Sequence, residues 1–164
     1  MESGMARAQE SSLEYAIKGA YLFKFGDFVE WPETVFAQPN APFVIGILGE
    51  DPFGPNLDQS LRNRSVQGRP IVIKRYERVE EARSAQILYL GQGLQERKEA
   101  VLAELRKTNT LTVSDKYRQA GAMINFVLEE NKVRFEIDAA AAQQAGLKIS
   151  SKLLSLAKAR GKNE

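Results

Sequence analysis

The 164-residue chain contains no cysteine and no histidine. Disulfides, thiol nucleophiles and Cys/His zinc sites are thereby excluded, as is the imidazole that most often serves as a general base near neutral pH. The missing cysteine does not decide the compartment, since a core of this size can be stable without staples. No apolar run approaches the roughly 20 residues that a membrane-spanning helix needs. Nor is there an excess of one charge. The 23 basic and 21 acidic residues leave a formal net charge of +2, mixed along the chain, which gives no electrostatic footprint for nucleic acid. The basic residues that do gather, Lys148, Lys152, Lys158, Arg160 and Lys162, read as a solvated helix C-terminus where cations complement the macrodipole. There is no internal repeat and no low-complexity segment.

What is present is a succession of short periodic segments. Leu13 to Trp31 has helical spacing, with Leu13, Ile17, Ala20, Tyr21, Phe25 and Phe28 on one broad side, Ser11 or Ser12 as N-cap, and Pro32 as the stop. Leu22 and Val29 point the other way. A helix apolar on two sides must be covered on two sides, so Leu22 and Val29 are expected at a dimer or partner interface, most simply a two-fold homodimer. The alternative cover is the C-terminal helix of the same chain. Residues 1–11 are expected to be a disordered N-terminus ahead of one domain over residues 12–160. Ala6-Arg7-Ala8 before Gln9 is similar to the small-x-small end of a signal peptide.

The apolar run Phe43 to Leu48, stopped by Gly49, predicts a buried strand. A helix over 54–63, a strand over Ile71 to Tyr76, a short helix or loop over Val79 to Ala85 and a strand over Gln86 to Leu90 follow. Leu94 to Lys107 predicts a helix with Leu94, Val101, Leu102 and Leu105 inward, and Thr110 to Ser114 a further strand. This alternation argues for an α/β fold: a single three-layer α/β/α domain with a mostly parallel sheet. Met123 to Glu129 and Lys132 to Ile137 alternate in period two around Glu130-Asn131, predicting an antiparallel C-terminal hairpin. Ala139 to Ala145 is a short helix with Gly146 at its C′ position, and Ser150 or Ser151 caps a last helix reaching Ala159. Leu147, Ile149, Leu153, Leu154 and Leu156 are the candidate core residues of the C-terminal segment that follows Gly146.

Few groups are placed for catalysis. Ser155-Leu156-Ala157-Lys158 fits S-x-x-K, but the chain lacks the S-D-N and K-T-G elements that accompany it in serine acylases. Gly91-Gln92-Gly93 does not extend to a phosphate-binding glycine motif and reads as a turn. Asp115, Glu136 and Asp138 lie at strand ends, where paired carboxylates can do acid/base work. The simpler reading makes Asp115 a helix N-cap and leaves Glu136 in solvent or in a salt bridge with Arg134 on the same strand face. Arg69, in a Gly-Arg-Pro turn, can clamp a carboxylate or fix a neighbouring loop. If ligand binds at the carboxyl ends of the parallel strands, the residues to hold it are Ser114 and Asp115, with Arg69 nearby. No metal site and no cofactor is expected.

Phe28-Val29-Glu30-Trp31-Pro32, Gly49-Glu50-Asp51-Pro52-Phe53-Gly54, Gly68-Arg69-Pro70-Ile71, Leu111-Thr112-Val113-Ser114-Asp115, Gly121-Ala122-Met123-Ile124-Asn125-Phe126, Val133-Arg134-Phe135-Glu136-Ile137-Asp138 and the run from Ala145 to Ala157 occur in an order that resembles the YfiR-like proteins. The resemblance spans Tyr15 to Ala157. It departs at Gln86, where relatives often carry Cys, and at Ala122, where they often carry Gly. What it implies is a periplasmic, non-enzymatic signalling regulator, its signal peptide absent from this chain. Such a regulator would repress a membrane-bound diguanylate cyclase by protein contact, lowering cyclic-di-GMP and altering biofilm behaviour. The rival expectation is a periplasmic small-molecule-binding sensory module working with a histidine kinase or transporter. A hydrolase using Asp115 or Glu136 is the third.

Overall fold

The computed structural model describes residues 2–94, 97–115 and 121–157. Helix α1 spans Glu2–Phe28. Residues 2–11, expected to be disordered, form its first turns, because Glu, Met, Ala, Arg and Gln are all good helix formers. Ser11 and Ser12 are therefore interior residues, not caps. At its other end the chain leaves the helix at Phe28, earlier than Pro32 requires. Val29–Glu30 (β1) pairs antiparallel with Lys148–Ile149 (β9). The Ser150 amide donates to the Phe28 carbonyl at 2.8 Å, continuing this small second sheet.

The main sheet takes its strands from Phe43–Leu48 (β2), Ser65–Val66 (β3), Arg69–Tyr76 (β4), Ile87–Leu90 (β5), Leu111–Asp115 (β6), Ile124–Glu129 (β7) and Lys132–Ile137 (β8). They lie in the order β3-β4-β2-β5-β6-β7-β8. From β4 to β7 all neighbours are parallel, with β2 running beside β4 from Phe43↔Ile71 to Leu48↔Tyr76. The β7–β8 hairpin closes one side in antiparallel register, its turn at Glu130 and Asn131 having φ of 53° and 65°. That is the left-handed pair a two-residue hairpin turn requires.

Helices cover both faces, so the layers are those expected. Pro55–Leu61 (α2), Ala139–Gln144 (α4) and Ser151–Leu156 (α5) lie with α1 over one face, and Lys98–Leu105 (α3) with the 3-10 turn Val79–Ala82 over the other. The strands divide their side chains accordingly. Ile45, Ile47, Ile87, Tyr89, Leu111 and Val113 enter the core beneath α1, whereas Leu48, Leu88 and Leu90 enter the core beneath α3. Leu94, Val101, Leu102 and Leu105 are buried as expected.

Two expectations about burial need correction. Leu22 and Val29 are each 0% exposed within the single chain, so neither can be an interface residue. The buried stripe of α1 is Tyr15, Lys18, Leu22 and Phe25, continued by Val29, while Leu13 and Ile17 are the residues left in solvent, 63% and 38% exposed. The three-four spacing of that stripe puts Leu22 on the sheet side. In α5 only Leu153 is buried. Leu154 and Leu156 are exposed, because a helix of six residues can turn little more than one position of this run inward.

Candidate functional site

In a sheet of this strand order, β4 and β5 leave β2 in opposite directions, and the crevice at the carboxyl ends of β2 and β5 is where such sheets ordinarily bind ligands. Here the two loops draw together and leave only a small pocket of about 110 Å³, lined by Glu50, Asp51, Pro52, Tyr89 and Gln92. The Glu50 amide donates to the Gln92 carbonyl at 3.1 Å, and the Gly91 amide to the Leu48 carbonyl at 2.8 Å. A Cβ on Gly91 would stand 1.9 Å from the Glu50 carbonyl oxygen, so only glycine allows the two loops to approach this closely.

One strand further along, the end of β6 carries the most unusual chemistry among the described residues. Asp115 is fully buried, and its carboxylate accepts hydrogen bonds from the Tyr15 hydroxyl at 2.7 Å, the Tyr89 hydroxyl at 2.9 Å and the Lys18 ammonium at 2.7 Å. Lys18 is itself 1% exposed and reaches back one helical turn to the Glu14 carboxylate. Its ammonium lies 4.4 Å from the centroid of the Tyr15 ring, a cation–π contact. The aromatic walls are fixed edge to face: Tyr15 on Phe53 at 5.5 Å between centroids, and Phe53 on Tyr89 at 4.9 Å.

Burial alone would lower the pKa of Lys18, but its hydrogen bonds to Asp115 and Glu14 overcome that and hold it above its ordinary value. Burial, reinforced by the Asp115 charge, pushes the Tyr89 hydroxyl far upward. The lysine is thus a protonated cation at neutral pH and no nucleophile, and the tyrosine is a hydrogen-bond donor. The cluster is built to pin α1 to the sheet. Both raised groups contribute stability that is complete below their ordinary values of 10.5 and 10.0 and is lost as the pH climbs toward the raised ones. The urea midpoint should therefore hold steady up to about pH 10 and fall beyond it. A midpoint that instead rises between about pH 8 and pH 10 would mean that the cluster deprotonates in the folded protein before it does in the unfolded chain.

The structure does not unite the sequence-predicted ligand residues. Ser114 and Asp115 end β6, and the Ser114 hydroxyl donates to the Asn125 side-chain oxygen at 3.0 Å. Arg69 opens β4 at the opposite, amino-terminal end of the parallel strands. Its guanidinium donates to the carbonyls of Gln38 (3.2 Å) and Ala41 (2.9 Å) and stacks 3.7 Å above the Phe36 ring. Fixing a neighbouring loop is thus what Arg69 does here. Arg69→Lys keeps the charge but loses the planar stack, and is expected to lower stability by about 1 kcal/mol. An unchanged urea midpoint would make the residue a bystander.

Asp115 points at α1, and the helix that its N-cap reading requires would fall on residues 116–120, outside the described residues. Among the described residues Asp138 is an acidic cap: its side chain accepts from the Ala141 amide at 3.1 Å at the start of α4. Arg134 pairs with Glu129 at 3.4 Å and not with Glu136. Gln86, the departure from Cys, is buried and bridges strands, its side-chain oxygen accepting from the Val44 amide at 2.7 Å. Ala122 is buried and keeps φ out of the left-handed region. Lys158, Arg160 and Lys162, and with Lys158 the S-x-x-K pair, lie outside the described residues. Among the described residues no group of three or more His, Cys, Asp or Glu is arranged to hold a metal, and no helix is long and apolar enough to cross a membrane.

Lys18, Tyr15 and Tyr89 were not singled out by the sequence reading. The signal that could have found Lys18 is a lone cation in an otherwise apolar three-four stripe. Beside this cluster an open groove of about 500 Å³ runs between α1 and α2. A family model described as YfiR/HmsC-like matches residues 15–158, a span that contains Tyr15, Lys18, Tyr89 and Asp115. No curated protein matches the chain.

Proposed function

We propose, since the chain belongs to the YfiR/HmsC-like family, that it is an exported, periplasmic signalling regulator without catalytic activity of its own. It restrains a membrane-bound diguanylate cyclase by contact with that enzyme's periplasmic part, and so lowers cyclic-di-GMP and biofilm formation. The family match over residues 15–158 carries this reading. The narrowness of the crevice at the ends of β2 and β5 supports it: about 110 Å³ is left there, below the roughly 300–1,000 Å³ of small-molecule sites, which favours the outer surface as the means of acting on a partner.

We retain the homodimer as part of the proposal, with the correction that its contacts on α1 fall on the exposed Leu13 and Ile17. The domain is taken as residues 12–160. The exported protein should co-purify with the periplasmic part of a cognate cyclase. Absence of any complex at micromolar concentration, with the protein folded, would overturn the contact mechanism. A sensory module working with a histidine kinase or transporter is the second reading, and the open groove along α1 favours it.

A further inference from the structure

The groove between α1 and α2 has a composition that selects among ligands. Its floor is Tyr15, Phe53 and Leu57, all buried, and Ala16 and Gly19 form the α1 wall. At Gly19 the helices come so close that an added Cβ would stand 2.9 Å from a Leu57 methyl, which closes the groove at that end. Among the described residues the polar lining groups are neutral: the hydroxyls of Ser12 and Ser60 and the amide of Asn56. Neither the Ser12 hydroxyl nor the Asn56 amide has a partner among the described residues.

Its volume of about 500 Å³ falls within the roughly 300–1,000 Å³ of small-molecule sites, which pair an aromatic and aliphatic lining with a few oriented polar groups. Among the described residues no ionisable side chain other than the engaged Tyr15 phenol faces it, so a charged ligand would lose its hydration without a counter-charge from them. The seven residues of α2 give only about 10 Å of wall. That length lodges a compact molecule better than the several-turn face of a helical peptide.

We propose that the groove bounded by Tyr15, Ala16, Gly19, Phe53, Asn56 and Leu57 binds an uncharged, largely apolar small molecule, with Ser12 and Asn56 taking its polar edge. The floor also connects the groove to the buried ion cluster, since Tyr15 lines the one and donates to Asp115 in the other. The site stands apart from the cyclase reading: a cyclase that ignores the protein leaves the groove intact, and an empty groove leaves the regulator intact.

Titration of the full chain with the neutral fluorophore N-phenyl-1-naphthylamine tests this. Saturable one-to-one enhancement is expected, at least tenfold tighter than for 8-anilinonaphthalene-1-sulfonate, which adds a charge to the same frame. Ala16→Trp and Ser60→Trp fill the groove from opposite walls at exposed positions, and each should weaken binding at least tenfold. Amide chemical-shift changes in the unmodified protein should centre on residues 12–19 and 52–60, a readout that needs no variant. Non-saturable binding, equal affinity for the sulfonate, full affinity in both folded variants, or shift changes centred elsewhere would each overturn the proposal.

Discussion

Asp115→Ala should lower the unfolding free energy by about 3–5 kcal/mol, the usual consequence of removing one partner from a buried ion pair. The substitution leaves the Lys18 ammonium, 1% exposed, with Glu14 alone, and takes the acceptor from the Tyr15 and Tyr89 hydroxyls at once. The two phenols, which also interact with each other, lose the charged acceptor that they share. The order of effects is diagnostic. Lys18→Met should cost less, because both phenols still donate to Asp115 and the methionine keeps most of the packing volume. Adding Lys18→Met to Asp115→Ala should recover part of the loss, giving a coupling of about 0.5–3 kcal/mol in the double-mutant cycle. Urea unfolding of the four proteins measures it. A loss below about 1 kcal/mol for Asp115→Ala would place the cluster in contact with water.

Leu22→Glu is expected to abolish folding. Removing a fully buried leucine costs about 2–5 kcal/mol, and a carboxylate left unpaired in its place costs several more. Together these rival the whole stability of a typical domain, about 5–15 kcal/mol. The same change at Leu13 or Ile17, on the outer side of α1, should leave stability within about 0.5 kcal/mol. If α1 also joins two copies, those outer substitutions should convert a sedimenting dimer to a monomer. Far-UV circular dichroism and sedimentation velocity distinguish the cases. A folded, monomeric Leu22→Glu protein would restore Leu22 to an interface and contradict the burial described above.

Much of the fold could be read from local pattern because its strands are buried on both faces and bounded by turn residues. Phe43 to Leu48 and Gly49, or the hairpin around Glu130-Asn131, carry their signals within a few residues. The phase of α1 could not be read the same way. Setting Lys18 aside as a solvent residue shifts the apolar stripe to Leu13, Ile17, Tyr21 and Phe28. Admitting it restores Tyr15, Lys18, Leu22 and Phe25, the observed inner face. The deciding partner, Asp115, lies 97 positions away, and no local periodicity reports a contact over that distance. The β1–β9 pair was hidden for a different reason: strands of two residues each are too short to show alternation. Arg69 was recognised as a clamp, yet its acceptors are backbone carbonyls, which every residue possesses and no side-chain pattern marks.

The regulatory claim is tested most directly by measuring cyclic-di-GMP in cells that carry a membrane diguanylate cyclase from the same genome, with and without the exported protein. The account predicts a severalfold lower level when the protein is present, lost when it is retained in the cytoplasm. An unchanged level, with the protein folded and exported and the cyclase active, would contradict it.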